Sequence, residues 1–193
     1  MRTTGSLLAA VALALSACGA GSEQGDRPQA SPGDSGAGPT SIERTADVYS
    51  AVVRQLVTKD HTFGTAPSPF KRAYILDGVV ADASDPRMPA YADVKRPFAA
   101  AVKNRMRATL KDLPPIEFVT DGSDVVVDKN DCPRVKADGV LLSLGPISGG
   151  AHRVTVPNGL FFACLGGQWL TYVLELKGGA WTVVGTKGPV AIS

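Results

Sequence analysis

Apolar residues recur at helical spacing in two segments of the chain and then give way to short runs and alternation. Ile42, Ala46, Tyr49, Val53 and Leu56 fall on one stripe of a helix. Thr40-Ser41-Ile42-Glu43 ahead of them reads as a capping box. The Thr40 hydroxyl accepts from the Glu43 N–H and the Glu43 carboxylate reaches back. The pattern predicts a helix to about Val57, then a loop over residues 58–69 and a strand over 72–76 that ends at Asp77-Gly78. After an irregular stretch over 80–96, Pro97 suits a first helical position. Phe98, Val102, Met106, Thr109 and Leu113 trace one face from there to the Pro114-Pro115 stop.

Strand patterns fill the rest. Residues 116–119 and 125–127 flank Asp121-Gly122, a hairpin signal. Runs at 140–144, 153–156 and 160–164 follow, separated by Gly-Pro, Gly-Gly and Pro-Asn-Gly breaks. Residues 169–177 and 180–186 are joined by Gly178-Gly179, which suits a two-residue turn with positive φ at both positions. That turn sets Lys177 opposite Ala180, Leu176 opposite Trp181, Leu174 opposite Val183 and Tyr172 opposite Gly185, so the apolar residues share a face. The expectation is an α+β domain: two N-terminal helices packed on one face of a mainly antiparallel, curved meander of five to seven strands. A sheet wrapped round its helices, as in cystatin-like or nuclear-transport-factor-like domains, is one version of it by analogy.

The first forty residues have a different character. Arg2 precedes an apolar run over 7–15, and small residues Ser16 and Ala17 lead to Cys18. That run is about half the roughly 20 residues that span a bilayer, which disfavours a transmembrane anchor. Leu15-Ser16-Ala17-Cys18 resembles the lipobox of bacterial lipoproteins. The resemblance implies cleavage before Cys18 and a diacylglyceryl group on its thiol; secretion with cleavage elsewhere is the alternative. Two acyl chains hold a protein stably to a membrane, at ~0.8 kcal/mol per buried methylene, where one does not. Residues 19–40 hold six glycines, three prolines and no large apolar side chain. They read as a flexible tether spanning roughly 25 Å as a random coil. The division is therefore 1–17 signal peptide, 18–40 lipidated tether and 41–193 one globular domain, too short for a two-lobed solute receptor. The ending, 169–173 through 188–193, is similar to lipoproteins of actinobacteria, a likeness that brings no catalytic residue with it.

Charge adds little. Removing residues 1–17 takes away only Arg2, so 20 basic residues become 19 against 18 acidic ones, a net of +1. This gives no case for nucleic acid as a partner. The most basic local patch is the outer face of the second helix, Lys103, Arg107 and Lys111, with Lys95, Arg96 and Arg105 nearby. It reads either as a solvated face or as a docking surface for an acidic partner such as an envelope protein, phospholipid heads or a wall polymer.

With Cys18 lipidated, Cys132 and Cys164 remain, and outside the cytoplasm an even pair suggests a disulfide. Free buried thiols, or a zinc site with His61 and His152, are the alternatives, the latter lacking any supporting spacing. Asp128-Lys129-Asn130-Asp131 starts like a calcium loop but carries Pro133 where glycine is required and Gly139 where glutamate is. No Gly-x-Ser-x-Gly elbow, phosphate loop or dinucleotide fingerprint occurs. Trp169, Tyr172, Trp181, Phe161 and Phe162 read as core or as the lining of a ligand pocket. No catalytic set, metal or cofactor is expected. The expected function is a membrane-anchored, non-enzymatic binding or accessory module of the cell envelope. A small pocket enzyme or ligand carrier, with an acid such as Asp77 as base, is the alternative.

Overall fold

The computed structural model describes residues 41–63, 68–86, 94, 96–128 and 130–193. Cys18, the tether, Thr40 of the capping box and Lys95 lie outside these residues. Helix α1 spans Ser41–Thr58. Ala46, Tyr49, Val53 and Leu56 are buried as the stripe requires, and Val48, Val52 and Val57 widen it. Ile42, in the first turn, remains 43% exposed. Four β-branched valines on the inner face give α1 poor intrinsic propensity, so packing against the sheet is what holds it helical.

The α+β class holds: the described residues form two helices and one mostly antiparallel sheet of ten strands. The strands are β1 (Arg72–Val79), β2 (Ile116–Val119), β3 (Val126–Asp128), β4 (Pro133–Val135), β5 (Gly139–Leu144), β6 (Ser148–Gly149), β7 (Arg153–Ala163), β8 (Gly166–Lys177), β9 (Ala180–Thr186) and β10 (Ala191–Ile192). The central path runs β10-β8-β7-β5-β1-β2, with β9 beside β8 and the β4 and β6 segments beside β7. This corrects the expected count of five to seven strands; the strand expected over 72–76 is β1, and it separates α1 from α2 (Ala100–Thr109), so the two helices do not both precede the sheet.

Three local expectations also change. Asp121-Gly122 does not turn a hairpin: β2 pairs in parallel with β1, as β5 does on the other side. Asp121 instead accepts from the Ser123 N–H at 2.8 Å and caps a single 3₁₀ turn over Gly122–Asp124. Residues 153–163 form one strand, not two. Pro157 is tolerated there because β5 pairs β7 from Asn158 onward and β6 pairs it at Val154 and Thr155. The proline nitrogen faces the gap between them, and its carbonyl accepts from the Gly145 N–H at 2.7 Å. Finally, the β8–β9 register follows the Gly178-Gly179 turn through Leu174–Val183, then shifts by one residue, so that Tyr172 faces Thr186.

The sheet buries both faces. Ala73, Ile75, Leu142, Val156, Leu160 and Leu174 form one core with the inner residues of α1 and with Phe98, Val102 and Met106 of the α2 segment. On the opposite face Tyr74, Leu76, Leu141, Val119, Val125 and Val135 form a second, smaller core. α2 is shorter than expected, but Leu110 is buried just beyond it. Arg54 of α1 ties the two helices by a two-pronged contact to Asp112 (2.6 and 2.8 Å) and a third bond to the Thr109 carbonyl near the end of α2. These bonds hold the Asp112 carboxyl down at about 2, with the Arg54 hydrogen bond as the main cause.

Candidate functional site

The site with the most developed chemistry forms where α1 ends. Lys59 and Asp60 both donate their N–H to the Gln55 carbonyl, at 2.9 and 3.0 Å, so the helix closes on a tight turn. Thr62 follows with φ of 65°, and His61 packs inward against Phe63 and Phe70. The turn carries the Asp60 side chain to the inner face of β8. There Gln168, Leu170, Tyr172 and Leu174 alternate onto one face by strand geometry. The Tyr172 hydroxyl donates to Asp60 Oδ2 at 2.7 Å, and Gln55 Nε2 donates to the same oxygen at 3.1 Å.

An open groove of about 370 Å³ lies over this arrangement, lined by Lys59, Asp60, Thr62, Gln168, Leu170, Thr186 and Val190. Tyr172 is fully buried beside it. Burial first, then the hydrogen bond and negative charge of Asp60, push its hydroxyl far above the usual phenol range. It therefore stays a donor at any physiological pH. Both groups that hold Asp60 are neutral, and among the described residues no cation forms an ion pair with it. The groove thus offers an oriented carboxylate with its charge uncancelled by direct pairing, a buried amide at Gln168, hydroxyls at Thr62 and Thr186, and apolar walls at Leu170 and Val190.

The residues singled out from the sequence fall elsewhere. Cys132 and Cys164 are bonded to each other, with Cα atoms 5.1 Å apart. The Arg134–Ala163 pairing of β4 with β7 brings them together. Lys103 Nζ sits 2.6 Å from Asp77 Oδ2, with side chains 22% and 9% exposed, so its charge is matched inside the fold. The Arg107 guanidinium lies 4.9 Å from the Phe118 ring centre, and Lys111 is exposed. Arg105 is held by Asp47 and Glu43. The expected basic face is therefore divided among separate contacts. Asp77, the candidate base of the enzyme alternative, is closed on Lys103, while its Oδ1 is buried without a partner.

His61 is 1% exposed and its Nδ1 accepts from the Phe63 N–H at 3.3 Å, whereas His152 is exposed. Among the described residues no group of three His, Cys, Asp or Glu is placed to hold a metal ion. Asn130 and Asp131 of the calcium-like stretch take positive φ in the β3–β4 turn. Of the aromatic residues, Tyr172 is core and touches the site through its hydroxyl alone; Phe162 packs against Phe63 and Phe70. Sequence reasoning missed Gln55, Asp60 and Gln168. One signal was present: Gln168 is a polar residue on the inward register of an otherwise apolar strand face. No family model, curated protein or solved structure matches the chain.

Proposed function

We propose that this chain is a lipid-anchored, extracytoplasmic binding module of the cell envelope, whose ligand site is the groove at Asp60. The observation that carries the reading is the position of that groove. At the start of α1, Arg44 donates to the Gly150 carbonyl at 2.6 Å and lies over the Trp181 ring. At the other end, Asp60 meets Tyr172. An 18-residue helix is about 27 Å long, so these contacts lie at well-separated ends of α1. The groove therefore lies at the end of α1 opposite its first residue, Ser41.

The leader pattern ending in Cys18 supports the anchor, and the bonded Cys132–Cys164 pair suits an oxidising compartment. Binding is favoured over turnover because Asp60 Oδ2 is engaged by two neutral donors, which fix a carboxylate in place, and Tyr172 is held as a donor. In this reading the sheet curves round α1 and α2, whose inner residues share one core with strands from β1 to β8. The test is fractionation of cells expressing the full chain and its Cys18→Ala variant. The parent chain is expected in the membrane fraction and the variant in the soluble extracytoplasmic fraction. Identical partitioning of the two would overturn the anchor.

A further inference from the structure

We infer that the groove takes an aliphatic ammonium group, on a ligand that also carries a carboxylate. The inference rests on reading the groove as a binding site and adds its ligand chemistry. Asp60 supplies the first argument. A carboxylate set in a groove with two neutral donors on one oxygen is oriented but not neutralised, and the natural complement of such a group is a cation.

The type of cation follows from geometry. A guanidinium binds best as a fork across both carboxylate oxygens. Here Oδ2 already accepts from Tyr172 and Gln55, which leaves Oδ1 as the oxygen for a ligand. An ammonium is a compact charge with three rotatable donors and needs only one such oxygen. A metal ion would need several further oxygen ligands of the kind found in calcium sites, and among the described residues of the lining Asp60 is the one carboxylate.

The walls describe the rest of the ligand. Val190, half exposed, offers apolar surface for a methylene stem, as long amphipathic side chains use, with Leu170 buried at the floor. Lys59 belongs to the same lining and is exposed, so it meets a carboxylate on the ligand and opposes a second positive charge. Gln168 and the two threonines give neutral hydrogen-bonding groups between them. An ω-amino acid, free or as a diamino-acid residue within a peptide, has this chemistry.

The experiment is an NMR titration of the full chain carrying Cys18→Ala. The probes are 6-aminohexanoate, a short peptide with one lysine and a free C-terminal carboxylate, hexanoate, hexylamine and 4-guanidinobutanoate. The first two distinguish a free from a peptide-borne ammonium. Shifts at Asp60, Gln168 and Tyr172 are expected with 6-aminohexanoate, the peptide or both. Affinity falls at least about tenfold in Asp60→Asn, which keeps the shape and an acceptor for Tyr172. Lys59→Met lowers 6-aminohexanoate affinity to that of hexylamine. Binding of hexanoate as tight as that of 6-aminohexanoate, guanidinobutanoate preferred over 6-aminohexanoate, or undiminished affinity in Asp60→Asn overturns the inference. A soluble envelope extract is titrated in parallel. If it moves the groove signals while no ammonium probe does, the ligand class is wrong and the binding site stands. If nothing moves them, both fail.

Discussion

Replacing Lys103 by methionine separates a structural ion pair from a docking charge. In the fold, Lys103 Nζ approaches Asp77 Oδ2 to 2.6 Å, and the two side chains are 22% and 9% exposed. Asp77 Oδ1 has no hydrogen-bond partner, so the lysine is the group that compensates this carboxylate. Methionine keeps the stem and its packing but removes the charge, leaving both oxygens of a buried carboxylate unsatisfied. Breaking one side of a buried pair costs about 3–5 kcal/mol, and the partial exposure of Lys103 points to the lower end, about 3 kcal/mol. In a domain of this size that lowers Tm by roughly 6–12 °C. Urea unfolding of the parent, Lys103→Met, Asp77→Asn and the double variant measures it. The double variant is expected to lose less than the sum of the singles, by about 2 kcal/mol. A loss under about 0.5 kcal/mol in Lys103→Met, the scale of an exposed pair, would show that the charge is not needed inside the fold and return Lys103 to the surface.

Three other outcomes follow from the structure. Cys132 and Cys164 are 32 positions apart, so chain entropy gives their bond about 3–4 kcal/mol of stability; denatured, unreduced protein should fail to react with a thiol reagent at either residue, and Cys132→Ser/Cys164→Ser should lose stability on that scale. Gly78→Ala would drive a methyl into the Arg96 carbonyl oxygen, and a cost of about 1–3 kcal/mol is expected from urea unfolding. Burial lifts the Tyr49 hydroxyl to about 12, and burial with Asp60 lifts Tyr172 further. Both folded values lie above the unfolded phenol near 10. The stability they contribute is therefore complete below about pH 10 and is lost as pH rises from there, and ultraviolet titration should show both residues unionised until the chain unfolds.

The parts of the fold legible in the sequence were those fixed by neighbours in the chain. α1 declares itself by spacing, and the β8–β9 hairpin by a turn whose geometry sets the register next to it. The register shift beyond Leu174 was not legible, because a bulge far from the turn leaves the alternation of the turn-proximal residues intact. The parallel β2-β1-β5 block was hidden for a different reason. Its pairings join residues about 43 and 67 positions apart in register, such as Ala73 with Ile116 and Val140, and no local turn announces them. The site followed the same division. A pair of cysteines can be counted, but Asp60 gains its meaning only when the end of α1 lies on β8, which brings it to Tyr172, 112 positions away. Lys103 shows the converse: a basic residue among basic residues on a helix, it is matched by an acid on a strand.

Native mass spectrometry of the full chain extracted from membranes without reduction, beside its Asp60→Asn variant, reads the anchor, the disulfide and the bound ligand together. The expected species begins at Cys18, carries acyl chains, is short of two hydrogens for the Cys132–Cys164 bond, and retains a small ammonium-bearing molecule that the variant loses. An unacylated chain still starting at Met1, or an acylated one whose bound mass is the same in Asp60→Asn, would contradict that expectation.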